Sequence, residues 1–426
     1  MSAEPTLEPT HEAAATAPQT LWRQREFMLL WGGLVVSTLG SAASAIVYPL
    51  LILALTGSPT AVGIASALRV VPFVVLCLPV GALVDRWDRR RVMLRCEVGR
   101  GVAVATVPVA VALGHVEVWH LYAVALVEGV LMVFYNLAEV AALPRVVSAR
   151  QLPAAMAQNH AGYAGAEIAG PALGTALFQL WRGLPFVADA LSYAFSAWTL
   201  WRLRSGFEPA PAGERRHLVA EVAQGLRWLW QERLVRHMAV ITGIGNFVHA
   251  AVPLLLIVMA KHHGASESQI GVVFSLAGLG GLLGAMVGGW VQQRFTFGQV
   301  IVGTMLARAL LFPLYGLCEG PLSLGAVFGL IMFFGPIYNV TQLSYRVALI
   351  PDGLQGRVNA GYRFVAHLLV PVGSVLCGAL IERAGQGWAL AVFAGSYGLL
   401  TLATMADPVV RDAPRQLPGP PRATES

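Results

Sequence analysis

Apolar residues fall in long, nearly unbroken runs along this chain, instead of the alternation of a strand or the two-faced period of a surface helix. A hydrocarbon layer of about 30 Å takes roughly 20 residues of helix to cross. Runs of that length lie near 27–53, 61–84, 92–113, 119–143, 154–180 and 184–201. After a polar interval they resume near 238–260, 270–291, 298–317, 322–345, 360–381 and 388–405. The pattern predicts an all-α membrane protein of twelve spans in two pseudo-symmetric six-helix bundles. Its expected parts are a polar tail over 1–26, a first bundle over 27–204, a linker over 205–236, a second bundle over 237–407 and a polar tail over 408–426. In the linker, Leu218, Val222, Leu226, Leu229 and Trp230 recur at helical spacing among polar residues. This is an amphipathic helix suited to lie on a membrane surface, or else a flexible connection.

Composition sharpens the choice of class. The 426 residues are 56% hydrophobic and only 12% charged, about half the charge of an ordinary soluble domain. That excludes a soluble globular chain and a disordered one. A net charge of +6 would suggest nucleic acid for a soluble protein, but here the bases sort by loop and no nucleic-acid partner is expected. One side holds Arg23, Arg25, the run Arg86 to Arg95, Arg145, Arg150, the linker arginines, Arg294, Arg346, Arg357 and Arg363. The other holds Arg182, Lys261 and Arg383. Positive residues mark the cytoplasmic side, so both termini and the linker are expected there, in a bacterial inner (plasma) membrane. The first twenty residues lack the pattern of a signal peptide. Lys261 is the single lysine, which removes a P-loop and with it ATP hydrolysis in cis. Cys77, Cys96, Cys318 and Cys377 have no CxxC spacing and read as packing residues, so neither a metal nor a cofactor is expected.

The halves echo one another. Val140-Ala-Ala-Leu-Pro144 closes the fourth span and Val347-Ala-Leu-Ile-Pro351 the tenth; Gly81-x-x-x-Asp85-Arg86 matches Gly289-x-x-x-Gln293-Arg294. Parallel six-helix repeats point to alternating access around a shared cavity. Spans 1, 4, 7 and 10 each carry a polar stripe at helical spacing: Ser37, Ser41, Ser44 and Tyr48; Glu128, Met132, Tyr135 and Glu139; Thr242, Asn246 and His249; Asn339, Gln342 and Arg346. Separate interhelical hydrogen bonds are the alternative reading of these stripes.

Charges at bilayer depth need a reason. Glu167 in the fifth span and Glu128 in the fourth are expected to take up and release a proton, with Arg69 as a counter-charge. Glu97 and Arg100 stand at i, i+3 and are expected to pair. Asp189 and Arg308 are expected to be structural. His249 is either a titrating group or a hydrogen-bonded packing residue.

The segment Gly81-Ala-Leu-Val-Asp85-Arg86-Trp-Asp88-Arg89-Arg90-Arg91 resembles the loop between helices 2 and 3 of the major facilitator superfamily. Asp88 stands in place of a second glycine there, as in the branch with macrolide efflux proteins and enterobactin-type siderophore exporters. Asp189-Ala-Leu-Ser-Tyr193, Gly225-Leu-Arg-Trp-Leu-Trp and Pro351-Asp-Gly-Leu-Gln-Gly-Arg357-Val are similar to the same branch. Gly170, Pro171 and Gly174 resemble the antiporter motif of the fifth helix, where plain helix packing is an equal reading. Apart from the resemblance, Asp85 at the cytoplasmic end of the second span is expected to face the partly positive N-terminus of the eleventh near Ala360, and Arg89 to pair with Glu139. The resemblance implies a secondary transporter, not an enzyme: a monomer in the lipid bilayer, exporting a small amphiphilic molecule (drug, natural product or siderophore) by proton antiport. Import or lipid movement by the same fold is the alternative. A membrane enzyme is disfavoured because no HExxH and no Ser–His pairing occurs.

Overall fold

The computed structural model describes residues 20–204, 218–411 and 413, and among them all regular structure is helical. The first half comprises α1 (Arg25–Thr56), α2 (Pro59–Arg86), α3 (Arg89–Ala112), α4 (Val118–Val146), α5 (Leu152–Leu180) and α6 (Leu184–Arg202). A short α7 (Leu218–Gln231) leads to the second half: α8 (Arg233–His262), α9 (Glu267–Arg294), α10 (Phe297–Leu311), α11 (Pro321–Leu349), α12 (Gln355–His367), α13 (Val370–Ala384) and α14 (Gln386–Ala406). A final α15 (Pro408–Arg411) follows.

Two expected spans are broken by proline. The ninth is α10 continued by a tighter turn over Phe312–Leu317, starting where Pro313 cannot donate its backbone hydrogen bond. The eleventh is split into α12 and α13 just ahead of Pro371. Among the described residues, nine helical stretches are long and apolar enough to cross a membrane by themselves. Of the twelve expected spans, the three that fall short are α3, α5 and α6, which carry Glu97 and Arg100, Gln158 and Asn159, and Asp189. Glu97, Arg100, Asn159 and Asp189 turn inward, with Glu97 and Asp189 wholly buried, and each has a hydrogen-bond partner on a neighbouring helix.

Close helix contact is set by glycine. A Cβ on Gly170 or Gly174 of α5 would run into the backbone of Ala42 and Ala43 on α1, so these motif residues have a packing role. The linker helix differs from the surface helix expected. Its apolar face packs on α12: Gly225 lies against the Arg357 backbone, Leu226 against Gly361, and Leu229 is fully buried. Arg357 Nη1 donates to Gln224 Oε1 at 2.7 Å. The tryptophan-rich linker motif and the Pro351–Val358 motif thus form one joint. The side chains of Leu218 and Val222 lie outside the described residues, and α8 begins at Arg233, inside the expected linker.

The halves meet chiefly through α5 against α9 and α2 against α13. Among the described residues, the hydrogen bonds joining them lie at the arginine-poor end. Ser58 Oγ and Thr60 N donate to Glu382 at 2.5 and 3.0 Å, and Gln179 Nε2 donates to Ser268 Oγ at 3.1 Å.

Candidate functional site

Between the halves lies a cavity of about 750 Å³, within the range of sites that enclose drug-sized molecules. The bonds to Glu382 and Ser268 close it on one side. It extends towards the arginine-rich end through Leu34, Tyr163, Ile241 and Leu400. On α1 the lining face runs Leu34, Thr38, Ser41, Ala45 and Pro49, a helical stripe. Met132, Tyr135 and Asn136 of α4 and Glu167 and Pro171 of α5 complete much of the first half's wall. The second half supplies Thr242, Asn246 and His249 from α8, Arg308 from α10, Tyr338 and Asn339 from α11, and Tyr397 from α14. Much of the remaining wall is apolar, with Ile46, Phe274, Phe328 and Met332.

Of the expected cavity residues, Ser37, Ser41, Met132, Tyr135, Thr242, Asn246, His249 and Asn339 reach this wall. Ser44, Tyr48, Gln342 and Arg346 do not. Ser37 stands at the edge of the wall, and Ser44 and Tyr48 turn from it; Ser44 donates to Asp189 Oδ2 at 2.5 Å, and Tyr48 packs edge-on against Phe186. Gln342 Nε2 donates to Thr242 Oγ1 at 2.7 Å and to the Tyr338 hydroxyl at 2.8 Å, while Tyr362 donates to its Oε1. Arg346 lies over the Tyr362 ring, 3.8 Å from its centroid. These two belong to a cluster that ties α8, α11 and α12 together.

Behind the first half's wall sits a buried polar network centred on Tyr193. Its hydroxyl accepts from Arg100 Nη2 at 2.7 Å, donates to Glu128 Oε1 at 3.1 Å and lies 2.8 Å from Ser41 Oγ. The Arg100 guanidinium also stacks on the Tyr193 ring at 4.3 Å. Glu97 accepts from Ser37 at 3.1 Å and from Ser196 at 3.0 Å. The expected Glu97–Arg100 pair is therefore replaced: α3 directs the two side chains to different partners on α1 and α6. Asp189 accepts from Ser44 and, at 3.4 Å, from Ser192, so the Asp189–Tyr193 motif places an acid and a hydroxyl one turn apart on the buried face of α6. Glu128 is itself buried in this network and off the cavity wall, whereas Arg69 and Glu167 face the cavity. Sequence reasoning set Arg100 and Arg308 aside as structural, yet both line the cavity. Their depth within apolar runs was the available signal.

The arginine-rich loop works differently from expectation. Glu139 accepts from Asn159 Nδ2 at 3.0 Å and from Tyr163 at 3.4 Å, partners on α5 rather than Arg89. It stands well inside α4, while Arg89 opens α3 at the rim. Asp88 is the N-cap of α3, accepting from Arg91 N at 3.0 Å. Arg90 caps the end of α6 through the carbonyls of Leu200 (2.8 Å) and Trp201. Arg86 is exposed and Gly81 has open space about it. The side chain of Asp85 lies outside the described residues. The helix it was expected to face begins at Gln355, which puts Ala360 in the second turn.

A family described as transmembrane secretion effector matches residues 14–412. The multidrug efflux pump Tap of Mycolicibacterium fortuitum is 25% identical over 366 residues, covering 81% of this chain and 87% of that protein. Macrolide efflux protein A of Streptococcus pyogenes is 24% identical over 379 residues, covering 85% and 91%. In fold, the chain is similar to a mutant of the nucleoside transporter NupG, with a TM-score of 0.72 at 12% identity, covering 90% of this chain and 99% of the other.

Proposed function

The chain belongs to the transmembrane secretion effector family of the major facilitator superfamily, and on that premise we propose that it exports a small amphiphilic organic molecule by alternating access. The single observation that carries this reading is the cavity: about 750 Å³, between two repeats, apolar over much of its wall with polar and charged groups set into it. The similarity to efflux pumps supports outward direction. We place the protein in the bacterial inner membrane as a monomer, with its termini and arginine-rich loops in the cytoplasm. It needs no cofactor; a proton gradient is its energy source.

Glu167 is the proton carrier in this reading. It faces the cavity, and among the described residues no ion pair holds it, so a proton arriving through the cavity meets it directly. Tyr193 and Glu128 are held behind the wall, joined to it through Arg100, and respond to the charge in front of them. Everted membrane vesicles carrying the protein test this. With a fluorescent drug as cargo, an imposed proton gradient drives accumulation in the wild type. Glu167→Gln abolishes gradient-driven accumulation and retains exchange of labelled for unlabelled cargo. Gradient-driven accumulation at the wild-type rate in that variant refutes the assignment, and accumulation only under the opposite gradient refutes export.

A further inference from the structure

The cavity wall is charged in a lopsided way. Among the described residues, Arg69, Arg100 and Arg308 reach it, against Glu167 alone among acids. In the first half the buried carboxylates of Glu97, Glu128 and Asp189 stand behind the two arginines. The second half has no such reserve. Helices α8, α10, α11, α12 and α14 contain no Asp or Glu; α9 has only its first residue, Glu267, and α13 only Glu382 in its last turn. Arg308 lies eleven residues into its span, about 16 Å from the arginine-rich end by helical rise. Its Nε donates to the Ile331 carbonyl at 3.2 Å. No hydrogen bond or ion pair occupies its terminal nitrogens among the described residues. A guanidinium at that depth without a counter-ion is costly, and its planar fork suits two oxygens of one acid group.

We propose that Arg308 receives an anionic oxyacid group of the cargo, a carboxylate or its sulfonate or phosphate equivalent, so that the exported molecule is an amphiphilic organic anion. This rests on the export reading for its biological sense, while the binding chemistry stands on the charges alone. Asn246 and Asn339, on the same wall, supply further hydrogen bonds to the acid. The apolar body of the cargo lies along Phe328 and Met332.

The test is equilibrium binding to the purified full chain in lipid nanodiscs, using 11-(dansylamino)undecanoic acid and its primary amide. The two probes share one apolar body and differ in charge. The wild type is expected to bind the acid at least tenfold more tightly than the amide. Arg308→Gln is expected to bring that ratio within twofold, chiefly through weaker binding of the acid, and retained binding of the amide reports a folded cavity. Arg308→Lys, which keeps the charge and loses the fork, is expected to fall between and decides the matter should the Gln variant not purify. Equal affinity of the wild type for both probes overturns the proposal, as does a ratio that survives either substitution. Transport of the same probes in everted vesicles separates the two readings. An acid that binds preferentially without being exported counts against export and leaves the anion site standing.

Discussion

Tyr193 is the point at which a single oxygen atom can be removed with a calculable effect. Tyr193→Phe keeps the ring, its packing and the cation–π contact with Arg100 at 4.3 Å, and deletes only the hydroxyl. Two charge-assisted hydrogen bonds go with it: the 2.7 Å bond from Arg100 and the 3.1 Å bond to Glu128. Arg100 keeps a 3.3 Å contact with Ser41. Glu128 is left more exposed to the loss, since among the described residues its second oxygen is already buried without a hydrogen-bond partner. At roughly 1.5–3 kcal/mol for each bond to a charged group, and with Ser41 retaining part of the first, the loss comes to about 3 kcal/mol. The assay is reversible SDS-induced unfolding in detergent micelles, run as a double-mutant cycle with Glu128→Gln. Because that change replaces a carboxylate with a neutral amide, the second substitution is expected to recover about half of the loss. A Tyr193→Phe variant within about 0.5 kcal/mol of wild type, or strict additivity in the cycle, refutes the claim that this hydroxyl joins the two charges.

Other expectations can be checked alongside. Gly174→Val drives a side chain into the Ala43 backbone and is expected to cost more than about 3 kcal/mol, seen as loss of monodisperse protein on gel filtration; Gly165→Ala on the same helix, with open space around it, is expected to be neutral. Asp88→Ala removes the α3 cap and is expected to lower stability by about 1 kcal/mol, while Asp88→Asn, which also caps, stays within a few tenths; equal loss in both in a thermal-unfolding series refutes capping as the role. Gly225→Leu is expected to detach the linker helix from α12, since its Cβ would meet the Arg357 backbone; faster proteolysis between the halves reports it.

The span pattern was readable because hydrocarbon thickness dictates length and composition together. It was least readable in α3, α5 and α6, where charges needed within the bundle lower the apolar signal. Helical spacing told which residues share a face but not which neighbour that face meets. On α1, Ser37, Ser44 and Tyr48 stand seven and four residues apart and share a face beside the lining stripe of Leu34, Ser41, Ala45 and Pro49. Ser37 therefore meets the cavity edge while Ser44 meets Asp189 of α6. On α11, Asn339 reaches the cavity while Gln342 and Arg346 fall beside Tyr362 of α12, a neighbour that only tertiary packing supplies. The Glu97–Arg100 expectation failed for a related reason: i, i+3 proximity was outcompeted by hydroxyls on α1 and α6. The proline breaks at Pro313 and Pro371 carried a sequence signal that the hydropathy runs overrode.

Alternating exposure of the cavity is the claim on which the account stands, and the echo positions give a direct gauge of it. Val140 of α4 and Val347 of α11 are 66% and 43% exposed, and sit at equivalent places near the arginine-rich end. Gln179 and Ser268 mark the opposite end, across the seam between α5 and α9. Spin labels at cysteines introduced in each pair, in a background lacking the four native cysteines, allow both separations to be measured by double electron–electron resonance in nanodiscs at pH 5 and pH 8. The account predicts two populations in each pair whose weights shift in opposite senses: where the Val140–Val347 separation shortens, the Gln179–Ser268 separation lengthens. A single fixed distance in both pairs, or a shift of both in the same sense, contradicts it.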